Sequence, residues 1–194
     1  MFRIFILIPA VFLFFATNSV AATTYVVDAA HSQIHFSVNH LMFFKVRGNF
    51  TEFTGEVDVD PAARTLTAAR ANISTASVDT RNEERDEHLR SADFFAAADH
   101  PAITFVSKQI SGSGDNISVV GDISIRGVTK EITLTGSFVG ATTDPWGNER
   151  TGFVATGTLD RKDFGLVWNR ALETGGVVVG DTVEIGLEIA AVKQ

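Results

Sequence analysis

From Gln33 onward, apolar and polar residues alternate with a period of two. Ile34, Phe36, Val38 and His40 stand against Gln33, His35, Ser37 and Asn39. The same alternation runs through Ile117, Val119, Gly121, Ile123 and Ile125, and through Ile132, Leu134, Gly136 and Phe138. It recurs in Phe153, Ala155, Gly157 and Leu159, and in Val183, Ile185, Leu187 and Ile189. Successive side chains of a strand point to opposite faces, so each run predicts a strand with one apolar face. Turn residues separate the runs. Asp60-Pro61, Gly112-Ser113-Gly114-Asp115 and Asp144-Pro145-Trp146-Gly147-Asn148 each interrupt the alternation, and Gly127 predicts a tight hairpin. The phase slips between Phe50 and Phe53, which predicts a bulge or bend at Thr51-Glu52.

One segment breaks the pattern. Thr80 to Ala98 is rich in Glu, Arg and Ala and shows no alternation. It predicts a helix over Asn82–Arg90 capped by Asp79 or Thr80. Asp93 is placed to start a second short turn through Phe94–Ala98, and Pro101 opens a new strand.

About eight strands in sequential hairpins predict an all-β fold: an eight-stranded antiparallel barrel, lipocalin-like, with a short helical insertion. Closure removes exposed strand edges. Glycines within the strands, Gly48, Gly55, Gly121, Gly136, Gly157 and Gly186, fit sharp bends or room inside. A two-sheet sandwich shows the same alternation and stays open as the alternative.

The first residues have another logic. One basic residue, Arg3, precedes an uncharged run from Ile4 to Ala16, and small residues follow, with Val20 and Ala22 suited to the −3 and −1 positions of a cleavage site. This predicts a secretory signal peptide over residues 1–22 and a mature domain over 23–194. The apolar run is shorter than the ~20 residues of a spanning helix. The expected product is an exported, periplasmic protein with no membrane anchor after cleavage. The 194-residue chain carries a net charge of −7, which argues against a nucleic-acid partner. It has no cysteine, which excludes a thiolate metal site and a cysteine nucleophile.

Candidate chemistry is sparse. Of the five histidines, His31, His35 and His40 lie in one segment predicted as strand, but His40 has the opposite parity from the other two. His40 extends the apolar face and therefore needs a hydrogen-bonding partner from protein, water or ligand. Arg81, Arg85 and His88 are spaced i, i+4, i+7 and so share a helix face, with Arg81–Glu84 and Asp86–Arg90 as compensating pairs. They are either a solvated face or a rim that meets a polar head group. No nucleophile elbow, zincin or phosphate-loop motif occurs. Phenylalanine, alanine and glycine mixed on one face suit both a filled core and a ligand cavity.

Several ordered blocks carry a family resemblance. Val27-Asp28-Ala29-Ala30-His31-Ser32-Gln33-Ile34-His35-Phe36-Ser37-Val38-Asn39-His40 resembles the opening of the YceI-like family, the polyisoprenoid-binding domain proteins. So do Gly48-Asn49-Phe50-Thr51-Glu52-Phe53-Thr54-Gly55, Asn82–Phe95, Pro101–Phe105, Gly121–Lys130 and Arg161-Lys162-Asp163-Phe164-Gly165. Arg126 stands where many relatives have a histidine. The resemblance implies a lipocalin-like barrel around an apolar pore that binds a long isoprenoid, such as an isoprenoid quinone, or another amphipathic lipid. On that basis the expected function is a binding protein, not an enzyme, for transport, storage or sequestration of lipid, with no cofactor beyond it. The lining candidates are Ile34, Phe36, Val38, Phe50, Phe53, Ile103, Phe105, Phe138 and Phe153. His40, Arg85 and His88 are the candidates for the polar end. The sequence leaves open a homodimer, a metal-dependent or other hydrolytic enzyme using His40, Arg85 and His88, and a stress-related protein with a filled barrel.

Overall fold

The computed structural model describes residues 22–173 and 175–194, so the expected leader, apart from Ala22, lies outside the described residues. The strands are β1 (Thr23–Val27), β2 (Gln33–His40), β3 (Phe44–Phe50), β4 (Phe53–Asp60), β5 (Thr65–Ser74), β6 (Val78–Asp79), β7 (Ala102–Ser113), β8 (Asn116–Ile125), β9 (Val128–Thr143), β10 (Glu149–Asp160) and β11 (Val179–Lys193). The one α-helix among the described residues, α1 (Glu83–Arg90), lies between β6 and β7.

These segments form one antiparallel sheet that closes on itself. The ring runs β1-β4-β5-β7-β8-β9-β10-β11 and returns to β1, which makes an eight-stranded barrel. β2 and β3 extend it at one end. The first half of β11 pairs with β2, as Glu184 opposite Ser37, whereas its last residues pair with β1, as Val192 opposite Val26. β3 pairs with β2 and β4 with β1. Thus β1/β2 and β3/β4 are each one kinked strand position. The second kink falls at Thr51-Glu52, where the alternation slips. The first is a 3-10 turn, Ala29–His31, in which the Asp28 carboxylate accepts from the Ala30 N–H at 3.1 Å. His31 therefore lies in a turn and not in a strand.

The inward parity is the expected one. Ile34, Ile73, Ile103, Ile123, Ile125, Ile132, Leu134 and Phe153 are all buried. Two strand glycines are needed for close approach. A Cβ on Gly48 would lie 2.6 Å from the Phe36 ring, and one on Gly121 would lie 2.5 Å from the Phe105 ring. These glycines do leave room inside, and neighbouring aromatic rings occupy it. The hairpin at Arg126-Gly127 has both residues at positive φ, 50° and 75°, which suits the twist of its flanking strands.

The helical insertion differs from expectation in detail. The cap is Asn82, whose side-chain oxygen accepts from the Arg85 N–H at 2.9 Å. Asp79 instead accepts from the Arg81 N–H, and Arg81 stands before the helix at φ 61°. Arg81 therefore does not share the face of Arg85 and His88. Neither expected ion pair is found among the described residues, and both partners of the second are engaged elsewhere. Arg90 donates to the carbonyls of Ala76 and Val78, and buried Asp86 accepts from the Thr80 N–H and hydroxyl. Residues 94–98 form turns, not a second helix. Asp93 accepts no backbone hydrogen there; it faces His88 Nε2 at 2.9 Å.

Candidate functional site: an apolar cavity open at one barrel end

The inward faces do not fill the barrel. They enclose a cavity of about 380 Å³, within the ~300–1,000 Å³ range of small-molecule sites. Its wall is aliphatic and aromatic, with Ile103, Phe105, Ile123, Leu134, Ile185 and Leu187 around the middle. Buried Tyr25, Val59, Ile117 and Phe138 fill the end of the barrel near the Asp60–Arg64 and Ser113–Asp115 turns. Around that end, Arg150 donates to Asp144 and to Asp28, both at 2.7 Å, and holds both carboxyls below the usual carboxylate range.

The other end carries nearly all the polar lining. It is built from α1, the β2–β3 hairpin and the long loop between β10 and β11. Arg85 donates from Nε to the Thr80 hydroxyl at 2.7 Å and from Nη2 to the Thr80 carbonyl at 2.9 Å. Its Nη1 makes no hydrogen bond among the described residues. His88 meets Phe94 and Trp168 edge-on, with ring centroids 5.0 and 4.8 Å apart. The His40 ring also has no hydrogen-bonding partner among the described residues. These groups can orient the polar end of an amphipathic molecule whose apolar part lies deeper.

Arg161 reaches the same end but has a different role. It is 3% exposed, and its five N–H groups are all committed. Nε donates to Gly180, Nη1 to Leu166 and Trp168, and Nη2 to Val179 and Asp181. Burial lowers its pKa, and Asp181 and Asp160 oppose that. Arg161 thus ties the loop after β10 to the start of β11 and has no donor left for a ligand.

Of the residues singled out from sequence, Ile34, Phe36, Val38, His40, Phe50, Arg85, His88, Ile103, Phe105 and Phe153 line the cavity. Phe53 and Phe138 do not. Phe53 opens β4 beyond the kink and packs into the core wall opposite Ile73. Phe138 is buried at the closed end, edge-on to Phe153 at 5.3 Å and beneath the Arg64 guanidinium at 5.7 Å. Sequence reasoning missed Phe164, Leu166 and Trp168, which also line the cavity. They recur with period two, Phe164, Leu166 and Trp168 against Gly165 and exposed Val167, but in a loop outside the strands. That spacing was a usable signal, and for Phe164 the Arg161-Lys162-Asp163-Phe164-Gly165 block was another. Among the described residues, no three His, Asp or Glu side chains stand close enough to share a metal ion.

Comparison with known proteins agrees with this architecture. The chain is 43% identical over 158 residues to a UPF0312 protein of Staphylococcus epidermidis, covering 81% of this chain and 90% of that one. A Campylobacter jejuni YceI protein crystallised for nanotechnology applications superposes with a TM-score of 0.71 at 30% identity, over 80% of this chain and 90% of that one. A polyisoprenoid binding domain from Saccharophagus degradans, implicated in plant cell wall breakdown, gives a TM-score of 0.67 over 89% and 99% of the two chains. At 16% identity that is a likeness of fold alone. The family model of the YceI-like domain matches residues 25–191, and this chain belongs to that family.

Proposed function

We propose that this protein is an exported carrier that holds a long isoprenoid or similar amphipathic lipid in its barrel, with no catalytic role and no cofactor. The observation that carries this reading is the cavity itself: an apolar wall, a far end filled by buried side chains, and most of the polar groups at the mouth. Each methylene moved from water into such a wall contributes about 0.8 kcal/mol. A chain of ten or more methylenes thus gains roughly 8 kcal/mol, enough to offset much of the cost of association without any charged contact. Arg85 Nη1, His40 and His88 are assigned to the head group. The fold is shared with a protein described as a polyisoprenoid binding domain, and the ligand class is carried over from it as part of this proposal. Export to the periplasm rests on the basic, apolar and small-residue order of residues 1–22.

Native mass spectrometry of protein purified from a bacterial periplasm, with solvent extraction of the same sample, tests this. The expected result is a bound mass that extracts as a prenyl lipid. Phe36→Asp puts a charge on the lining and is expected to abolish retention, while Glu188→Gln on the outer face leaves it intact. A protein that holds no lipid, takes up no added prenol and shows no rise in melting temperature with it is a filled barrel instead, because a ligand specific to the native state must stabilise it.

A further inference from the structure

The open end of the barrel ends in exposed hydrophobic side chains. At the tip of the β2–β3 hairpin, Met42 is 54% exposed, Phe43 88% and Phe44 65%. Val167 and Val177, in the loop between β10 and β11, are also exposed. The loop and the hairpin form one rim. The Leu41 N–H donates to the Val178 carbonyl at 2.9 Å, and His40 pairs with Val179. Met42 covers Gly176, where a Cβ would meet its sulfur at 2.8 Å. The rim continues the cavity wall. Phe44 has the parity of Val46 and lies opposite His40, both of which line the cavity, and Val178 beside Val177 lines it too.

Basic residues flank these apolar tips. Arg47 lies three residues along β3 from Phe44, on the outer face near Glu184, and Arg170 follows Val167; neither is within ion-pair distance of a carboxylate among the described residues. Aromatic tips beside arginines suit a bilayer interface, where rings sit at headgroup level and arginines meet anionic lipid. The patch is too small for a second copy or a stable protein partner, which needs about 20–30 residues a side.

From these observations we propose that the open end seats on an anionic lipid bilayer. The Leu41–Phe44 hairpin enters the headgroup layer, and the cavity mouth meets the membrane so that a lipid passes between them without crossing water. The last step rests on the carrier reading above; the docking does not.

Flotation with vesicles of phosphatidylethanolamine and phosphatidylglycerol in equal parts tests the docking. The protein is expected to float with them, and less so in high salt or with phosphatidylcholine vesicles, because screening and loss of anionic lipid weaken the arginine contacts. Phe43→Ser is expected to reduce partitioning roughly tenfold or more, the scale of one withdrawn phenylalanine. It should leave the melting temperature unchanged, since Phe43 packs against little. Trp146, 82% exposed at the opposite end, is the control, and Trp146→Ser should float as the parent does.

Failure of the parent protein to float overturns the docking. So does equal flotation by Phe43→Ser, or an equal loss in Trp146→Ser. A concentration-dependent dimer broken by Phe43→Ser, without vesicle binding, assigns the rim to a second copy. Uptake of a prenol from detergent micelles is measured in parallel. Uptake without vesicle binding sinks the docking and leaves the carrier reading; vesicle binding without uptake does the reverse.

Discussion

The two ends of this barrel solve opposite problems. At the closed end, strands meet in short turns and side chains complete the packing. Phe138, Phe153, Tyr25 and Val59 fill the space, and Arg150 bridges Asp28 to Asp144 across three chain segments. At the open end, the connections are long. The chain from Thr75 to Pro101, the hairpin at Leu41–Phe43 and the loop from Gly165 to Val178 surround the mouth without filling it. Their backbone polar groups cannot pair within a sheet, so side chains satisfy them. Arg161 serves four carbonyls, Arg90 serves two, and Asp86 receives the Thr80 N–H. The barrel is thus stabilised by core packing at one end and shaped by polar anchoring at the other, which separates stability from access.

The largest effect expected from breaking this division is at the closed end. Phe138→Ala removes a buried ring from the Phe153 and Arg64 contacts and should cost about 3–5 kcal/mol in urea unfolding. Lipid retention should survive it, because Phe138 does not touch the cavity. The matching change at the mouth is Arg161→Ala. It leaves the carbonyls of Leu166, Trp168, Val179 and Gly180 without their donor and should cost about 2–3 kcal/mol. Here retention should fall more than stability, with faster proteolysis within the Gly165–Val178 loop. Equal retention in both variants would erase the distinction between the ends.

A smaller effect sharpens it by pH. Asp28 and Asp144 have pKa values below their unfolded ones, chiefly through the hydrogen bonds from Arg150. Below about pH 4 the unfolded chain therefore binds more protons than the folded one, so their contribution is present at neutral pH and is lost as the pH falls toward the folded values. Arg150→Ala should lower the melting temperature at pH 7, and the gap to the parent should narrow toward pH 3. A gap that stays constant across that range would mean the bridge does not link folding to these two carboxyls.

The alternation of Ile34, Phe36 and Val38 against Gln33, His35 and Ser37 was enough to choose strand over helix and to choose the inner face. A strand's two-residue period is a local property, and one side of every strand here is buried. The kink at Thr51-Glu52 was legible for the same reason, as a slip in phase. The polar end was legible only in part. His40, Arg85 and His88 all lie at the mouth, whereas Arg81 does not share their face, since helical spacing does not reveal that the helix starts after it. Phe138 and Phe53 share the lining's parity but not its place, because parity fixes a face and not a depth along the barrel axis. Depth depends on the register of all eight strand positions at once.

The strands, their inward faces and the family can be read from short-range periodicity and from ordered blocks of residues. That the interior holds a cavity, and which end opens, follows from contacts between distant segments. The tertiary structure also assigned Arg161 to the mouth loop and not to a ligand. Those outcomes arise where segments more than a hundred residues apart, such as Ser37 and Glu184, are brought side by side. No local pattern records how much space is left between them.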